Sequence, residues 1–341
     1  MSTAYERGIS EWSSRLPTVT TTSVWVSDPR GALGSRVCGL LEANGMSRAE
    51  GPETASTVVW LTAHESVERG AWQRASVGDV SAVLAVTPAM HAVVVSSAMV
   101  YGAWPNNPVP LTEASVLRPD SEYAHDLLAL EQTVDEWRRA APGRSATVLR
   151  PTVSMAADAA SGLAAALAAG MGQRFGEADP PAQFLHLDDL ASAVILGIAA
   201  RLDGVRNVAP DGYVPGERLR ALTGAPPRVT LPARAREVVT GLRWRFERGP
   251  IPPGLVAYTR WPWVVANDRL VADGWRPTVT NEQAYVEGTE APWWTMVSPK
   301  RRQEVALGGA AVAVSAVVGI VVKALRAGRV TAAAAAQQAR R

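Results

Sequence analysis

Lysine is almost missing from this chain. The only two are Lys300 and Lys323, so any cation needed ahead of the C-terminal region must be an arginine or a histidine. Cysteine is nearly as scarce. Cys38 stands alone, which excludes an internal disulfide and fits a reducing compartment. Its place in a helical pattern reads as a small buried hydrophobe. Net charge is low, +2 over 341 residues, and no reader motif is present, so no nucleic-acid partner is expected. No metal is expected either. Met1–Pro17 is polar and carries both charge signs, without the apolar core of a signal peptide, so the main domain is predicted to fold in the cytoplasm.

The chain is long enough to bury a sizeable core. Its most informative stretch runs from Val93 to Gly102, Val-Val-Val-Ser-Ser-Ala-Met-Val-Tyr-Gly. Ala92–Val95 is a short apolar run rich in β-branched residues, suited to a strand buried on both faces of a parallel sheet. The run stops at Ser96 and Ser97, which delivers two hydroxyls to the strand's carboxyl end, where ligands of open α/β sheets bind. Downstream, Leu127, Leu130, Val134 and Trp137 keep helical spacing, with Ser121 as the expected N-cap. Tyr123 then falls in the first turn of that helix.

These residues resemble the extended short-chain dehydrogenase/reductase superfamily, and within it the NAD-dependent epimerase/dehydratase family typified by UDP-glucose 4-epimerase. Ser96–Gly102 fits the family's Ser-Ser-x-x-Val-Tyr-Gly motif. The resemblance puts Ser97 at the catalytic serine, Tyr123 at the catalytic tyrosine and Glu131 at the glutamate that follows. It implies a Rossmann-like doubly wound parallel sheet over 18–290, with a small substrate lobe mainly in 151–290. Later matches keep the family's order: Leu149-Arg150-Pro151, Phe184-Leu185-His186, Asn207-Val208 and Gly274-Trp275-Arg276-Pro277. His186 reads as a core or hydrogen-bonding histidine, and Asp189 as a helix cap.

The same resemblance locates a cofactor loop after the first strand, Ser23–Ser27. In the family it is Gly-x-x-Gly-x-x-Gly, whose glycines allow a tight turn and close approach of a pyrophosphate. Gly31 and Gly34 hold the second and third positions and Asp28 replaces the first. NAD or NADP is the implied cofactor, held by Gly31, Gly34 and Arg30. A carboxylate about 4 Å from a phosphate would repel it by about 4 kcal/mol at an effective dielectric near 20, unless Arg30 turns in to offset the charge. The alternative is a plain turn whose glycines serve packing. The second βα unit is also abbreviated: Asn44–Ser56 is polar, with no apolar strand to carry Glu50 or Glu53 toward a ribose. Beyond it, Glu68–Val86 carries helical spacing.

A third departure concerns the reaction itself. In the family the tyrosine exchanges a proton with a sugar hydroxyl while hydride passes to the nicotinamide. A lysine four residues on lowers the tyrosine's pKa. A phenol near pKa 10 needs that help to act as a base at neutral pH. Here Leu127 stands at the lysine's position, and His125 points away round the helix. The family chemistry, an NAD(P)-dependent epimerase, dehydratase or reductase, is therefore expected to be weakened or lost. The alternative is a noncatalytic ligand-sensing or scaffolding protein.

Toward the C-terminus, arginines from Arg234 to Arg248 interleave with apolar side chains, and tryptophans gather between Trp244 and Trp294. That pattern reads either as a solvated helix face or as a basic, aromatic surface against an anionic bilayer. After a linker, 291–304, Val305–Val322 carries no charge. At 1.5 Å per residue it reaches about 27 Å, enough to span a bilayer core. We expect 305–325 to be a transmembrane or membrane-associated helix, followed by a basic, alanine-rich tail, 326–341. The expected location is the cell membrane, with the main domain on its cytoplasmic side. The expected partner is a small-molecule ligand, such as a nucleotide- or lipid-linked sugar. The fold's usual helix pairing suggests a homodimer by analogy.

Overall fold

A computed structural model describes residues 22–62, 67–68, 71–72, 77–159, 179–222 and 255–289, all within a unit spanning Met1–Glu290. The expected N-terminal tail, the alanine-rich stretch beyond residue 159, the arginine–tryptophan segment and everything from the linker onward, including 305–325, lie outside the described residues. Among the described residues no helix is long and apolar enough to cross a membrane.

Six parallel strands form the central sheet. They are β1 (Ser23–Val26), β2 (Ser47–Arg48), β3 (Thr57–Leu61), β6 (His91–Val95), β7 (Ser145–Pro151) and β10 (Gly204–Val208), in the order β10-β7-β6-β3-β1-β2. A two-residue-per-strand hairpin, β4 (Val67–Glu68) and β5 (Ala71–Trp72), lies between β3 and β6, and a short parallel pair, β8 (Val153–Met155) with β9 (Phe184–His186), follows β7. The predicted buried strand is β6, whose five residues are all inaccessible. Period-2 alternation divides it between the two faces of the sheet. Val93 and Val95 pack with α1 (Ala32–Ala43) and α4 (Leu187–Ala199) on one face. Ala92 and Val94 pack with α2 (Val77–Val86) and α3 (Glu122–Arg139) on the other. Helices on both faces of a parallel sheet make this the doubly wound, Rossmann-like α/β fold.

A third apolar cluster lies beyond the strands' carboxyl ends. It joins the turn after β6 to Phe184, Tyr258, Trp263 and Tyr285 of the C-terminal lobe. Helix α3 spans two cores. Tyr123, Ala124 and Leu127 in its first turns enter the lobe cluster, whereas Leu130, Val134 and Trp137 cover the sheet. Spacing of three and four residues keeps them on one stripe. The Ser121 hydroxyl accepts from Ala124 N at 3.2 Å, which is the expected N-cap.

Three expectations are corrected. The second unit does keep a strand: Ser47–Arg48 pairs in parallel with β1 at the sheet's edge. A 3-10 turn over Pro52–Thr54 then leads straight into β3, so the shortening falls after β2. Glu50 and Glu53 are exposed. The helical spacing over Glu68–Val86 is helix only from Val77; β4 and β5 occupy its first part. Asp189 does not cap α4. His186 is the cap, its Nδ1 accepting from Asp188 N at 3.2 Å. The buried Asp189 carboxylate instead accepts from Thr278 N at 3.0 Å, Thr278 Oγ1 at 2.7 Å and Val279 N at 3.1 Å. It ties the lobe's last segment to the sheet domain.

Candidate functional site

All the sequence-predicted site residues lie at one edge of the sheet, beyond the carboxyl ends of β1 and β6. The two strands are separated by β3, which places the groups about 10 Å apart at the usual strand spacing. Two sub-sites result, a loop after β1 and a turn after β6.

The loop after β1 holds Asp28, Arg30, Gly31 and Gly34. Gly31 is the N-cap of α1, in extended conformation. Its backbone N–H, one of the helix's unpaired donors, donates to Asp28 Oδ1 at 3.0 Å. An aspartate bonding back to the amide a few residues on is an Asx-type turn. A Cβ on Gly31 would lie 2.0 Å from Asp28 Oδ2, and one on Gly34 would lie 1.6 Å from the Asp28 carbonyl oxygen. A Cβ on Gly34 would thus meet backbone that any residue at position 28 presents, whereas one on Gly31 would meet the Asp28 carboxylate. Arg30 is exposed. The loop as it stands does not fit a pyrophosphate, because the amide at the helix head is already bonded and a carboxylate lies over it.

The turn after β6 is polar at its start and apolar beyond. The Ser97 hydroxyl accepts from Met99 N at 3.2 Å and caps a 3-10 turn, Ala98–Tyr101. That turn ends at Gly102, whose φ is +70° and whose Cβ would meet the Arg118 carbonyl at 2.0 Å; this position admits no side chain. Tyr123 is 7% exposed and shares the lobe cluster with Met99, Val100 and Leu127. Leu127 is 0% exposed. The position that the resemblance assigns to a lysine is thus filled by a fully desolvated aliphatic side chain. His125 is exposed and its Nδ1 lies 2.9 Å from the Ser121 carbonyl, so it is occupied with its own helix. From the lobe, the buried Tyr258 hydroxyl donates to the Met99 carbonyl at 2.8 Å, fixing lobe to turn.

Behind the turn runs a buried polar network that sequence reading found only in part. Ser96 Oγ donates to Glu131 Oε1 at 2.6 Å. Arg150 meets the same carboxylate through Nε at 3.0 Å and Nη2 at 2.6 Å. Arg150 Nη1 donates to the Tyr101 hydroxyl at 2.9 Å, which donates to Asn207 Oδ1 at 2.8 Å. Burial opposes the Arg150 charge, but the Glu131 carboxylate outweighs it and raises the guanidinium pKa above its ordinary value. One signal was available in the sequence. Glu131 sits on α3's apolar stripe, and a carboxylate there demands a buried cation.

A small half-open recess lies beside the end of β7, lined by Thr152, Val153, Gln183 and Trp263. Its volume of about 10 Å³ has room for about one water. Thr152 Oγ1 is buried without a hydrogen-bond partner. Among the described residues no group of His, Cys, Asp and Glu could hold a metal ion.

Residues 63–209 match the family described as NAD dependent epimerase/dehydratase family. The match begins after β3, so the glycine loop lies outside it. No curated protein matches the chain. Among solved structures, Thermus thermophilus UDP-glucose 4-epimerase in complex with NAD is 17% identical, with a TM-score of 0.55; the alignment covers 78% of this chain and 97% of that one. A human epimerase family protein solved with NADPH is 16% identical, with a TM-score of 0.58, over 78% and 98% of the two chains. The Thermotoga maritima UDP-glucose 4-epimerase with UDP-glucose is 18% identical, with a TM-score of 0.52, over 80% and 99%. These structures share the fold, and the Ser-Ser-x-x-Val-Tyr-Gly turn lies inside the residues that match the NAD-dependent epimerase/dehydratase family model.

Proposed function

We propose that this is a membrane-tethered member of the family that holds a small ligand, of the nucleotide- or lipid-linked sugar class, and has lost the standard hydride-transfer reaction. The observation that carries the reading is Leu127, fully buried beside Tyr123 in the lobe's apolar cluster. A tyrosine base needs a nearby cation or dipole to bring its pKa toward neutrality. Leu127 carries no charge, so its position cannot supply the cation that the resemblance assigns there. Ser97 is engaged with the backbone of its own turn, a structural use that requires no substrate. The ligand part of the reading is supported by the position of the edge in an open α/β sheet. In this reading the tether is the uncharged segment within 305–325, with the fold on the cytoplasmic side of the cell membrane, either alone or as a homodimer.

The test uses the full chain in detergent micelles. It is incubated with UDP-glucose and with NAD or NADP, and the sugars are separated by chromatography. No epimer or oxidised sugar is expected. Turnover by the unaltered chain that disappears in Tyr123→Phe would overturn the reading and make Tyr123 a catalytic residue.

A further inference from the structure

We infer that the Asp28 carboxylate is a built-in anion seated on the head of α1, and that it keeps a dinucleotide's pyrophosphate from this loop. The inference rests on the family placement and deepens the reading above, but it uses a different part of the molecule from Leu127.

Three observations carry it. First, the amide that would face a phosphate is spent: Gly31 N–H donates to Asp28 Oδ1 at 3.0 Å. Helix heads bind anions because their first amides are unpaired and their dipole is positive. Here both attractions are met from within the chain. Second, the carboxylate covers the site as well as bonding to it. Its Oδ2 lies 2.0 Å from where a Gly31 Cβ would sit. The space that a glycine normally leaves open for an approaching ligand is occupied by Asp28. Third, Arg30, the cation of the loop, is exposed, and among the described residues it makes no ion pair with Asp28. The guanidinium one turn into α1, Arg36, is committed to Asp188 and Asp158, at 2.5 Å each.

A phosphate brought to this seat must break the Asp28 bond and displace a like charge. Two such charges about 4 Å apart correspond to about three decades in affinity as an upper figure. Any anionic part of the protein's ligand must therefore be recognised elsewhere along the edge. Gly31 lies against the Asp28 carboxylate and Gly34 against the backbone at position 28, so close packing accounts for both glycines without a nucleotide.

The experiment is calorimetric titration of the full chain in detergent with NAD and NADP, for the unaltered chain, Asp28→Gly and Asp28→Asn. Thermal melts show that each variant is folded. The unaltered chain should give no heat up to millimolar dinucleotide. Asp28→Gly, which removes both charge and occupancy, should bind at least tenfold more tightly. Asp28→Asn is isosteric and can still accept from Gly31 N, so it is the variant to rely on should the glycine loosen the loop. It removes only the charge and should gain part of the increase. Micromolar binding by the unaltered chain would overturn the inference. So would affinities in both variants no higher than in the unaltered chain. That second result would leave the functional reading standing on Leu127, whereas sugar turnover by the unaltered chain would remove both.

Discussion

The two halves of the sheet's ligand edge depart from the family pattern in different ways. After β1 the altered residue is polar and remakes the loop around itself: Asp28 accepts from the Gly31 amide, and its carboxylate fills the space beside Gly31. After β6 the altered residue is apolar and disappears into the core, with Leu127 fully buried among the lobe's side chains. What remains unaltered in the second half is tied to architecture. Ser97 caps a turn, Ser96 and Arg150 share the Glu131 carboxylate, and Tyr101 bridges Arg150 to Asn207. Positions with partners inside the protein have kept the family's residues. Of the positions that the resemblance assigns to cofactor or proton transfer, Asp28 and Leu127 depart, whereas Ser97 and Tyr123 are kept.

The sharpest way to break this comparison is to attack the buried ion pair. Removing one partner of such a pair leaves an uncompensated charge and costs about 3–5 kcal/mol. Arg150→Ala should therefore lower the denaturation midpoint more than any other change at this edge, measured by urea unfolding of the full chain in detergent. Replacing both charges with Arg150→Met and Glu131→Leu should cost far less, because no lone ion is left. If Arg150→Ala were nearly neutral, the network would not be architectural, and its residues would have to be explained by a ligand.

In the β1 half the matching test is Gly34→Ala. The new Cβ would sit 1.6 Å from the Asp28 carbonyl oxygen, a backbone atom that cannot swing aside. Overpacking of this kind costs about 1–3 kcal/mol. The loss should be the same with or without added NAD. A variant as stable as the parent would show that the loop is loose enough to rearrange, and would weaken the case that Asp28 holds it closed.

Most of the fold could be read from periodicity. The β6 run, the α3 stripe and the Ser121 cap follow from spacings of two, three and four residues and from one hydroxyl placed before a helix. What could not be read was set by distant partners. β2 is only Ser-Arg, with no apolar pattern. It exists because Ser47 N and Ala49 N donate to the Thr22 and Val24 carbonyls at 3.1 and 2.9 Å. Asp189 looked like a cap because an acid in a helix's first turn usually is one, yet its partners are Thr278 and Val279. At the candidate site, the departures at Asp28 and Leu127 were visible at once. The direction in which Asp28 turns was not, since an Asx turn and a phosphate seat share one sequence. The chain Ser96–Glu131–Arg150–Tyr101–Asn207 draws on the end of β6 and the 3-10 turn after it, on α3, β7 and β10, and no local pattern joins them.

The smallest effect gives the finest distinction. Ser121 and Ser97 make the same bond, each hydroxyl accepting a backbone N–H at 3.2 Å. Ser121 heads an 18-residue helix, whereas Ser97 heads a single 3-10 turn. Losing a helix N-cap costs about 1 kcal/mol, so Ser121→Ala should lower the unfolding free energy by that amount and the midpoint with it. If Ser97 is kept for its turn alone, Ser97→Ala should also destabilise, by about 0.5–1 kcal/mol for one buried hydrogen bond lost. Groups kept for a ligand behave in the opposite way, because binding sites commonly give up stability for function and gain it back when emptied. A Ser97→Ala chain whose midpoint is unchanged or higher would therefore show that the hydroxyl serves something outside the fold. Ser97 would then belong with the ligand, and the β6 half of the edge would still be a working site.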